Sequence, residues 1–160
     1  MKVEFIEPFV SAAFSVLETL TGERPTRGQI ALRTSTFTTQ QVTIVAGVNG
    51  NVEGVALYGM SMVTSEKIAS VMIGSPVAGL DDMALSAISE LGNMVTGNAI
   101  TSLSRNGYDV DITPPSVIKG THVEMSTRIP ALVVPVITNV GPIEVNVALA
   151  EIAAKNEVAA

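Results

Sequence analysis

A carboxylate and an amide lie three residues apart within residues 80–106, as Glu90 and Asn93. Wound as an α-helix at about 100° per residue, this stretch brings both side chains into one narrow arc of its polar face. Ser86 and Gly97 fall in the same arc, one turn before and one turn beyond the pair. An ionised carboxylate only accepts hydrogen bonds, whereas an amide both accepts and donates them. The sequence therefore displays two complementary binding groups on one exposed surface.

The opposite face of this predicted helix is apolar. Its positions recur every three or four residues, at Leu85, Ile88, Leu91, Gly92, Val95, Ala99 and Leu103. Such a stripe is typical of a helix that packs on a hydrophobic core and leaves its other face in water. The core then determines the direction in which the polar pair points.

A glutamate and an asparagine on an exposed helix face are also ordinary, so a solvated surface without function is the competing interpretation. Asn is a mediocre helix former, and Gly92 and Gly97 each cost about 1 kcal/mol relative to Ala in a helix interior. Gly92 falls on the apolar stripe, where it allows another backbone to approach closely. Gly97 falls beside Glu90 and Asn93, where it flattens the exposed surface. A flat surface favours a docking partner.

Composition excludes several classes of function. The 15 acidic residues outnumber the 9 lysines and arginines, which gives a formal charge of −6 and argues against a nucleic-acid partner. The chain contains no cysteine, and His122 is its only histidine. Asp81 and Asp82 are explained as acidic residues at a helix N-terminus, where the helix dipole favours them. We therefore predict no metal site and no histidine- or cysteine-based nucleophile.

Length and hydropathy predict one domain. A chain of 160 residues folds around a single core and buries roughly 70% of its unfolded surface. We assign the domain to residues 1–150 and expect residues 151–160 to form a frayed or disordered tail, because they carry few apolar side chains. No apolar run reaches the ~18 residues needed to cross a bilayer, and no signal-peptide pattern opens the sequence. We expect no membrane insertion and a cytoplasmic location.

Two further helices and eight strands complete the predicted elements. An amphipathic helix is predicted at residues 6–20, and a short helix at residues 65–73 has Thr64 as its N-cap and ends at Gly74. Segments rich in β-branched residues predict strands at residues 29–37, 41–48, 52–60, 110–112, 117–119, 123–128, 131–139 and 143–149. This order places strands after each of the long helices.

Turn and breaker residues indicate how the strands are arranged. Asn49 and Gly50 predict a type I′ hairpin turn, in which both residues need positive φ. Pro130 and Pro135 cannot donate hydrogen bonds to a neighbouring strand, so they indicate an edge strand or a bulge. An exposed edge tends to pair with a second copy of the chain, which predicts a homodimer.

The two long helices share a weak internal repeat. Residues 10–22, VSAAFSVLETLTG, align with residues 85–97, LSAISELGNMVTG, with four identities. We predict an α/β fold of the α+β type, with pseudo-two-fold helix-plus-three-strand repeats and the two long helices packed on one mainly antiparallel sheet. Where the second copy has Glu90 and Asn93, the first has Ser15 and Glu18, so any site is single.

The run LSAISELGNM, followed by TG and later by VDITPP, resembles the CheX branch of the CheC, CheX and FliY family of chemotaxis phosphatases. The family pattern is Asp or Ser, three residues, Glu, two residues, Asn, and then a longer spacer that ends at a proline. Here it reads Ser86, Glu90 and Asn93, followed by Pro114 and Pro115. The spacer is slightly short, so Pro115 is the closer match of the two. CheC-type members carry the acid and the amide in both helices, whereas this chain carries them once, as CheX does.

The resemblance implies dephosphorylation of a CheY-like response regulator, whose phosphoryl group is held on an aspartate as an acyl phosphate. Such a group has a loose transition state, so the catalyst mainly positions a water and supports developing charge. Asn93 is expected to orient the water and Glu90 to anchor the receiver domain, with Ser86, Gly97 and the motif proline in support. The receiver is expected to supply Mg²⁺, so the protein needs no cofactor of its own. The resemblance also implies a homodimer.

Two other functions stay open. A non-catalytic adaptor would use the same helix face to hold a receiver domain or a flagellar component, although the presence of Asn93 favours catalysis. A small-molecule enzyme would need a concave pocket with converging titratable groups, and the sequence nominates none. Measuring phosphoryl loss from an acyl-phosphorylated receiver separates these functions.

Overall fold

Three helices pack on an antiparallel β-sheet in the computed structural model, which describes residues 2–153. The helices are α1 (Val3–Thr21), α2 (Met62–Ile73) and α3 (Asp82–Arg105). The strands are β1 (Thr26–Arg27), β2 (Ala31–Arg33), β3 (Thr36–Thr38), β4 (Val42–Gly50), β5 (Val52–Met60), β6 (Val110–Ile112), β7 (Ser116–Lys119), β8 (Glu124–Ser126), β9 (Ala131–Thr138) and β10 (Gly141–Glu151). The predicted fold class is confirmed.

The sheet interlaces the two halves of the chain. Its order is β1-β9-β10-β5-β4-β6, with β2 also paired to β9 and β7 also paired to β4, and every pair is antiparallel. The early strands β1 and β2 thus flank the late strand β9, while the late strands β6 and β7 flank the early strand β4. β3 pairs with β8 in a separate two-stranded sheet. This exchange is consistent with the predicted pseudo-two-fold, although each half contributes five strand segments and the predicted repeat has three.

The two prolines near β9 do not mark an exposed edge, so that alternative is wrong; the predicted bulge is present, because residues 28–30 lie opposite only residues 134–135. β1 and β2 cover the outer side of β9, and Pro135 lies in the gap between their two ladders. There the N–H of Gly28 donates to the carbonyl oxygen of Pro135 at 2.8 Å, and the proline needs no donor on that side. The outer strands of the main sheet are instead the short segments β1 and β2 at one side and β6 and β7 at the other.

The predicted β4–β5 hairpin is present, but its turn is not type I′. Gly50 has a φ of 123°, whereas His122 is the only non-glycine residue with positive φ in the described chain, so Asn49 does not adopt the predicted conformation. The physical reason is a third strand. Asn49 and Gly50 are held in extended pairing with Asp111 and Val110 of β6, which moves the turn to the residues beyond them.

Polar caps fix where α2 and α3 begin. Ser61, not the predicted Thr64, is the N-cap of α2, and its side chain accepts a hydrogen bond from the N–H of Thr64 at 3.1 Å. Gly74 ends α2 in the left-handed conformation, as predicted. Asp81 caps α3 by accepting from the N–H of Ala84 at 2.9 Å. The first residue of α3 is therefore fixed by Asp81, one of the two acids that the sequence analysis placed at a helix N-terminus.

The core lies between the helices and the sheet. The apolar stripe predicted for α3 is confirmed: Leu85 is partly buried against the core, and the fully buried members are Ile88, Leu91, Gly92, Val95, Ala99 and Leu103. A Cβ at Gly92 would lie 2.4 Å from Cγ2 of Ile44 on β4, so α3 approaches the sheet closely there. Tyr58 of β5 and Thr96 of α3 share a buried hydrogen bond of 2.6 Å, and burial raises the pKa of Tyr58 well above its ordinary value.

The ends of the chain complete the fold. β10 extends through Glu151, which pairs with Val52, and Glu151 also forms an ion pair with Lys2. Residues 154–160 of the predicted frayed or disordered tail lie outside the described residues. Within residues 2–153, none of the three helices combines the length and the apolar character that crossing a membrane requires.

Candidate active site

The exposed face of α3 carries the residues that the sequence singled out. Ser86, Glu90 and Asn93 are all solvent-exposed and follow one another at intervals of four and three residues, which keeps them on one side of the helix. Gly97 continues the row one turn further and is half-buried, and a Cβ built there would meet nothing within 4 Å. The row therefore ends in an open, flat surface.

A solvent-open cleft of about 820 Å³ runs beside this row. One wall belongs to α3 and consists of Asp82, Leu85, Ser86, Ser89, Glu90 and Asn93. The other wall belongs to the β6–β7 region and consists of Ile112, Thr113, Pro114, Pro115 and Val117. The structure thus brings together the glutamate, the asparagine and both candidate prolines, while Gly97 lies outside the cleft on the same helix.

The second wall is a β-bulge. Val48 of β4 pairs with Ile112, and Val45 of β4 pairs with Ser116, so the three residues 113–115 lie opposite only the two residues 46–47. Neither Pro114 nor Pro115 has an N–H to donate to β4, and the extra residue bends the strand away from the ladder. We call residues 113–115 the proline bulge. It raises both prolines beside α3, where they line the cleft.

Sequence reasoning missed three residues of the cleft. Asp82 was explained only as a helix N-terminal acid, yet it lies in the first turn of α3 and also lines the cleft. The helical winding contained this signal, because Asp82 lies four residues before Ser86. Ser89 was signalled by the same winding, since it lies next to Asp82 and Ser86 around the helix. Thr113 lies within the VDITPP run, but its contact had no local signal, because its partner is on β4.

The cleft is acidic and contains no basic side chain. Asp82 and Glu90 are its only charged residues, and both are exposed. Within residues 2–153, neither Glu90 nor Asn93 forms a side-chain hydrogen bond or an ion pair, so both groups are available to a partner. Across the same residues, no group of three or more histidines, cysteines, aspartates or glutamates is arranged to hold a metal ion. The arrangement can receive a cation and orient a small polar molecule.

Comparison with solved structures first defines the class of fold. The CheC-like superfamily protein from Shewanella sp. PV-4 superposes with a TM-score of 0.84 at 24% identity, covering 94% of this chain and 99% of that chain. A CheX in complex with CheY, BeF3 and Mg²⁺, from Borrelia burgdorferi, gives a TM-score of 0.75 at 31% identity, covering 94% of this chain and 100% of that chain. The chain therefore has the CheC-like fold.

Sequence comparison then gives the family. A family profile described as chemotaxis phosphatase CheX matches residues 42–137. The CheY-P phosphatase CheX from Thermotoga maritima is 30% identical over 128 residues, which cover 79% of this chain and 83% of the relative. The chain belongs to the CheX family of chemotaxis phosphatases and is a phosphatase, a hydrolase.

Proposed function

We propose that this protein removes the phosphoryl group from the phosphoaspartate of a CheY-like response regulator. The observation that carries the proposal is the exposed row of Glu90 and Asn93 on α3, which faces the proline bulge across an open cleft. The Thermotoga maritima relative is named a CheY-P phosphatase, and the Borrelia burgdorferi structure contains CheY and Mg²⁺ beside CheX. Small-molecule sites usually enclose most of the ligand surface, whereas this cleft is open, so it suits a protein substrate better.

Asn93 is the catalytic residue in this proposal. Hydrolysis of an acyl phosphate requires a water in line with the bond that breaks, and an amide can accept a hydrogen bond from that water while donating to a phosphoryl oxygen. The buried neighbours Leu91 and Val95 hold this part of α3 against the core. The amide is therefore presented from a helix that does not have to reorganise when the receiver docks.

Glu90 anchors the receiver. A carboxylate beside a phosphoryl group repels it unless a cation intervenes, and the cleft contains no lysine or arginine. The active-site lysine of the receiver is the proposed cation, and Asp82 adds a second negative charge to the same cleft. Glu90 then contributes to binding more than to proton transfer.

Mg²⁺ enters the reaction with the receiver. Charge on the phosphoryl oxygens has to be neutralised during transfer, and Mg²⁺ prefers several oxygen ligands in octahedral geometry. The cleft contains two carboxylates, and within residues 2–153 no group of three or more histidines, cysteines, aspartates or glutamates could hold a metal ion. The protein therefore has no cofactor of its own in this proposal.

The remaining motif residues shape the docking surface. Ser86 continues the exposed row towards the N-terminus of α3, and Gly97 leaves open space beyond Asn93. Pro114 and Pro115 both line the opposite wall, and both are proposed to contribute to the docking surface. A receiver domain enters between these two surfaces.

We also propose a homodimer and a cytoplasmic location. In the described chain, β2 pairs on one side only, with β9, and Leu32 at this outer strand is 72% exposed while the preceding Ile30 is 46% exposed. An unpaired strand edge with exposed apolar side chains favours association with a second copy.

Sedimentation at micromolar concentration tests the dimer, and a Leu32→Asp variant is expected to shift the protein towards monomer. Monomer alone for the wild type contradicts it.

The phosphatase proposal is tested by mixing the protein with an acyl-phosphorylated CheY-like receiver in Mg²⁺ and measuring loss of the phosphoryl group. We expect the decay to accelerate in proportion to the concentration of the protein. Binding without acceleration would instead support the adaptor function, in which the same helix face only holds the receiver. Absence of both binding and acceleration contradicts the proposal.

A further inference from the structure

The proline bulge is attached to β4 at one point, Thr113. The N–H of Thr113 donates to the carbonyl oxygen of Gly47 at 3.0 Å, and the N–H of Gly47 donates to Oγ1 of Thr113 at 3.0 Å. Both distances are normal for N–H···O hydrogen bonds. The Thr113 hydroxyl thus accepts a hydrogen bond from β4 in the interval between the residues of β4 that pair with β6 and those that pair with β7.

The two prolines that follow make this attachment necessary. Pro114 and Pro115 have no N–H, so within the bulge only Thr113 can donate a backbone hydrogen bond to β4. The bulge is also exposed or only half-buried, and little packing restrains it. The paired hydrogen bonds between Thr113 and Gly47 are the restraint that the structure provides on the β4 side of this wall.

Gly47 leaves the room that this contact requires. A Cβ at position 47 would lie 2.7 Å from Oγ1 of Thr113, closer than Cβ atoms come in proteins, and a tight 3.2 Å from Cγ2 of the same residue. Any side chain there would push the threonine away from β4. Gly47 and Thr113 therefore fit each other as a pair, although they are distant in the sequence.

We propose that Gly47 and Thr113 are positioning residues, which hold the proline wall at a fixed place opposite Glu90 and Asn93 so that the cleft is ready for the receiver. This inference rests on the proposed function. The wall acts on docking, whereas the reacting water is held by α3. Loss of the contact therefore raises the KM for the phosphorylated receiver and leaves the rate of the saturated complex nearly unchanged.

A matched pair of variants isolates the hydroxyl. Thr113→Ala removes Oγ1 and Thr113→Ser retains it. Thr19→Ala controls for loss of an exposed threonine hydroxyl bonded to backbone, because Thr19 lies on α1 and its hydroxyl donates to the carbonyl oxygen of Ser15. We expect Thr113→Ala to raise KM about three- to tenfold, the range that one net hydrogen bond allows. Thr113→Ser and Thr19→Ala are expected to remain within about twofold of the wild type.

Gly47→Ala tests the other partner. It is expected to raise KM to a similar extent, and the double variant Gly47→Ala/Thr113→Ala is expected to be no worse than Thr113→Ala alone, because both changes break one contact. Amide hydrogen exchange gives a readout without the receiver: the Gly47 N–H should exchange faster in Thr113→Ala and normally in Thr113→Ser.

The outcomes separate this inference from the proposed function. Faster Gly47 exchange together with a raised KM and an unchanged saturated rate supports the positioning role. If the wild type is active but Thr113→Ala and Thr113→Ser have equal KM values, the positioning role is overturned. A Thr113→Ala variant that loses thermal stability but keeps the wild-type KM also overturns the positioning role. An inactive wild type overturns the proposed function and removes the basis of the inference with it.

Discussion

At the scale of single residues, Glu90 and Asn93 are proposed to have different tasks. Both are exposed, both lie on α3, and both line the same cleft. An amide orients a neutral water, whereas a carboxylate attracts a cation. Substitution of each residue should therefore change a different kinetic quantity.

Asn93→Ala is expected to slow dephosphorylation of the saturated complex by about 10²-fold or more, because one positioned polar group is worth about 3 kcal/mol in a transition state. Receiver affinity should stay nearly unchanged. Asn98→Ala provides a matched control, since Asn98 is exposed on the same helix and does not line the cleft. Single-turnover kinetics with excess protein make the measurement. A variant that loses binding but retains the single-turnover rate would contradict the water-positioning role.

Glu90→Ala is expected to weaken receiver binding about tenfold or more, because hydrogen bonds to charged groups contribute about 1.5–3 kcal/mol. Glu18→Ala changes an exposed glutamate on α1, away from the cleft, and as the control it should leave affinity unchanged. Titration at several salt concentrations measures the effect. Wild-type affinity should fall with salt more steeply than that of Glu90→Ala, and equal slopes would argue against an ion-pair anchor.

At the scale of elements, the two glycines of α3 serve opposite purposes. Gly92 is buried against Ile44, and a Cβ built on Gly92 would lie 2.4 Å from Cγ2 of Ile44. A Cβ built on Gly97 would meet nothing within 4 Å. The fold thus requires Gly92 and does not require Gly97. A residue that lowers helix stability without a packing reason is consistent with a surface kept flat for a partner.

Gly97→Ala is expected to raise the free energy of unfolding by up to about 1 kcal/mol, and Gly92→Ala to lower it by about 1–3 kcal/mol through overpacking. Urea unfolding of the two variants measures both changes. If the receiver docks over this face, Gly97→Ala should also bind it more weakly although the protein itself is more stable. A stabilised Gly97→Ala variant with unchanged affinity would show that the docking surface does not include this turn.

Periodicity made α3 predictable, because the apolar stripe and the polar row are both properties of one continuous segment. The failures involved partners distant in sequence. Asn49 carries a strong turn signal, yet pairing with β6 holds it extended. Pro135 indicated an edge strand or a bulge, and only the partner strands β1 and β2 show that it lies at a bulge. Thr113 is an ordinary threonine until its contact with Gly47 is known.

At the scale of the whole molecule, this chain and its receiver are proposed to divide the reaction between them. The cleft provides an amide and two carboxylates, and the receiver provides the phosphoryl group, a lysine and the metal ion. Neither surface is complete alone. The dependence on Mg²⁺ should therefore belong to the pair of proteins.

Calorimetric titration of Mg²⁺ into the isolated protein is expected to reveal no specific micromolar site, because two exposed carboxylates do not satisfy an octahedral ion. The same titration with the receiver present should show binding, and dephosphorylation should stop when the metal is chelated. A micromolar site in the isolated protein that is lost in Glu90→Gln would reverse this division and indicate a metalloenzyme.

The interlaced sheet also governs how the chain reaches its native state. Thr26 of β1 pairs with Ile137 of β9, and Val52 of β5 pairs with Glu151 of β10, so strands from the first half depend on strands near the end of the chain. Such distant pairings give a high contact order, which slows folding because long loops must close before the contacts form. β1 and β2 have no partner strand until β9 has been synthesised, and β4 lacks its outer partners until β6 and β7 have been synthesised. The first half of the chain therefore cannot complete its sheet while the second half is still being translated. Folding is therefore expected to finish only after synthesis of β10.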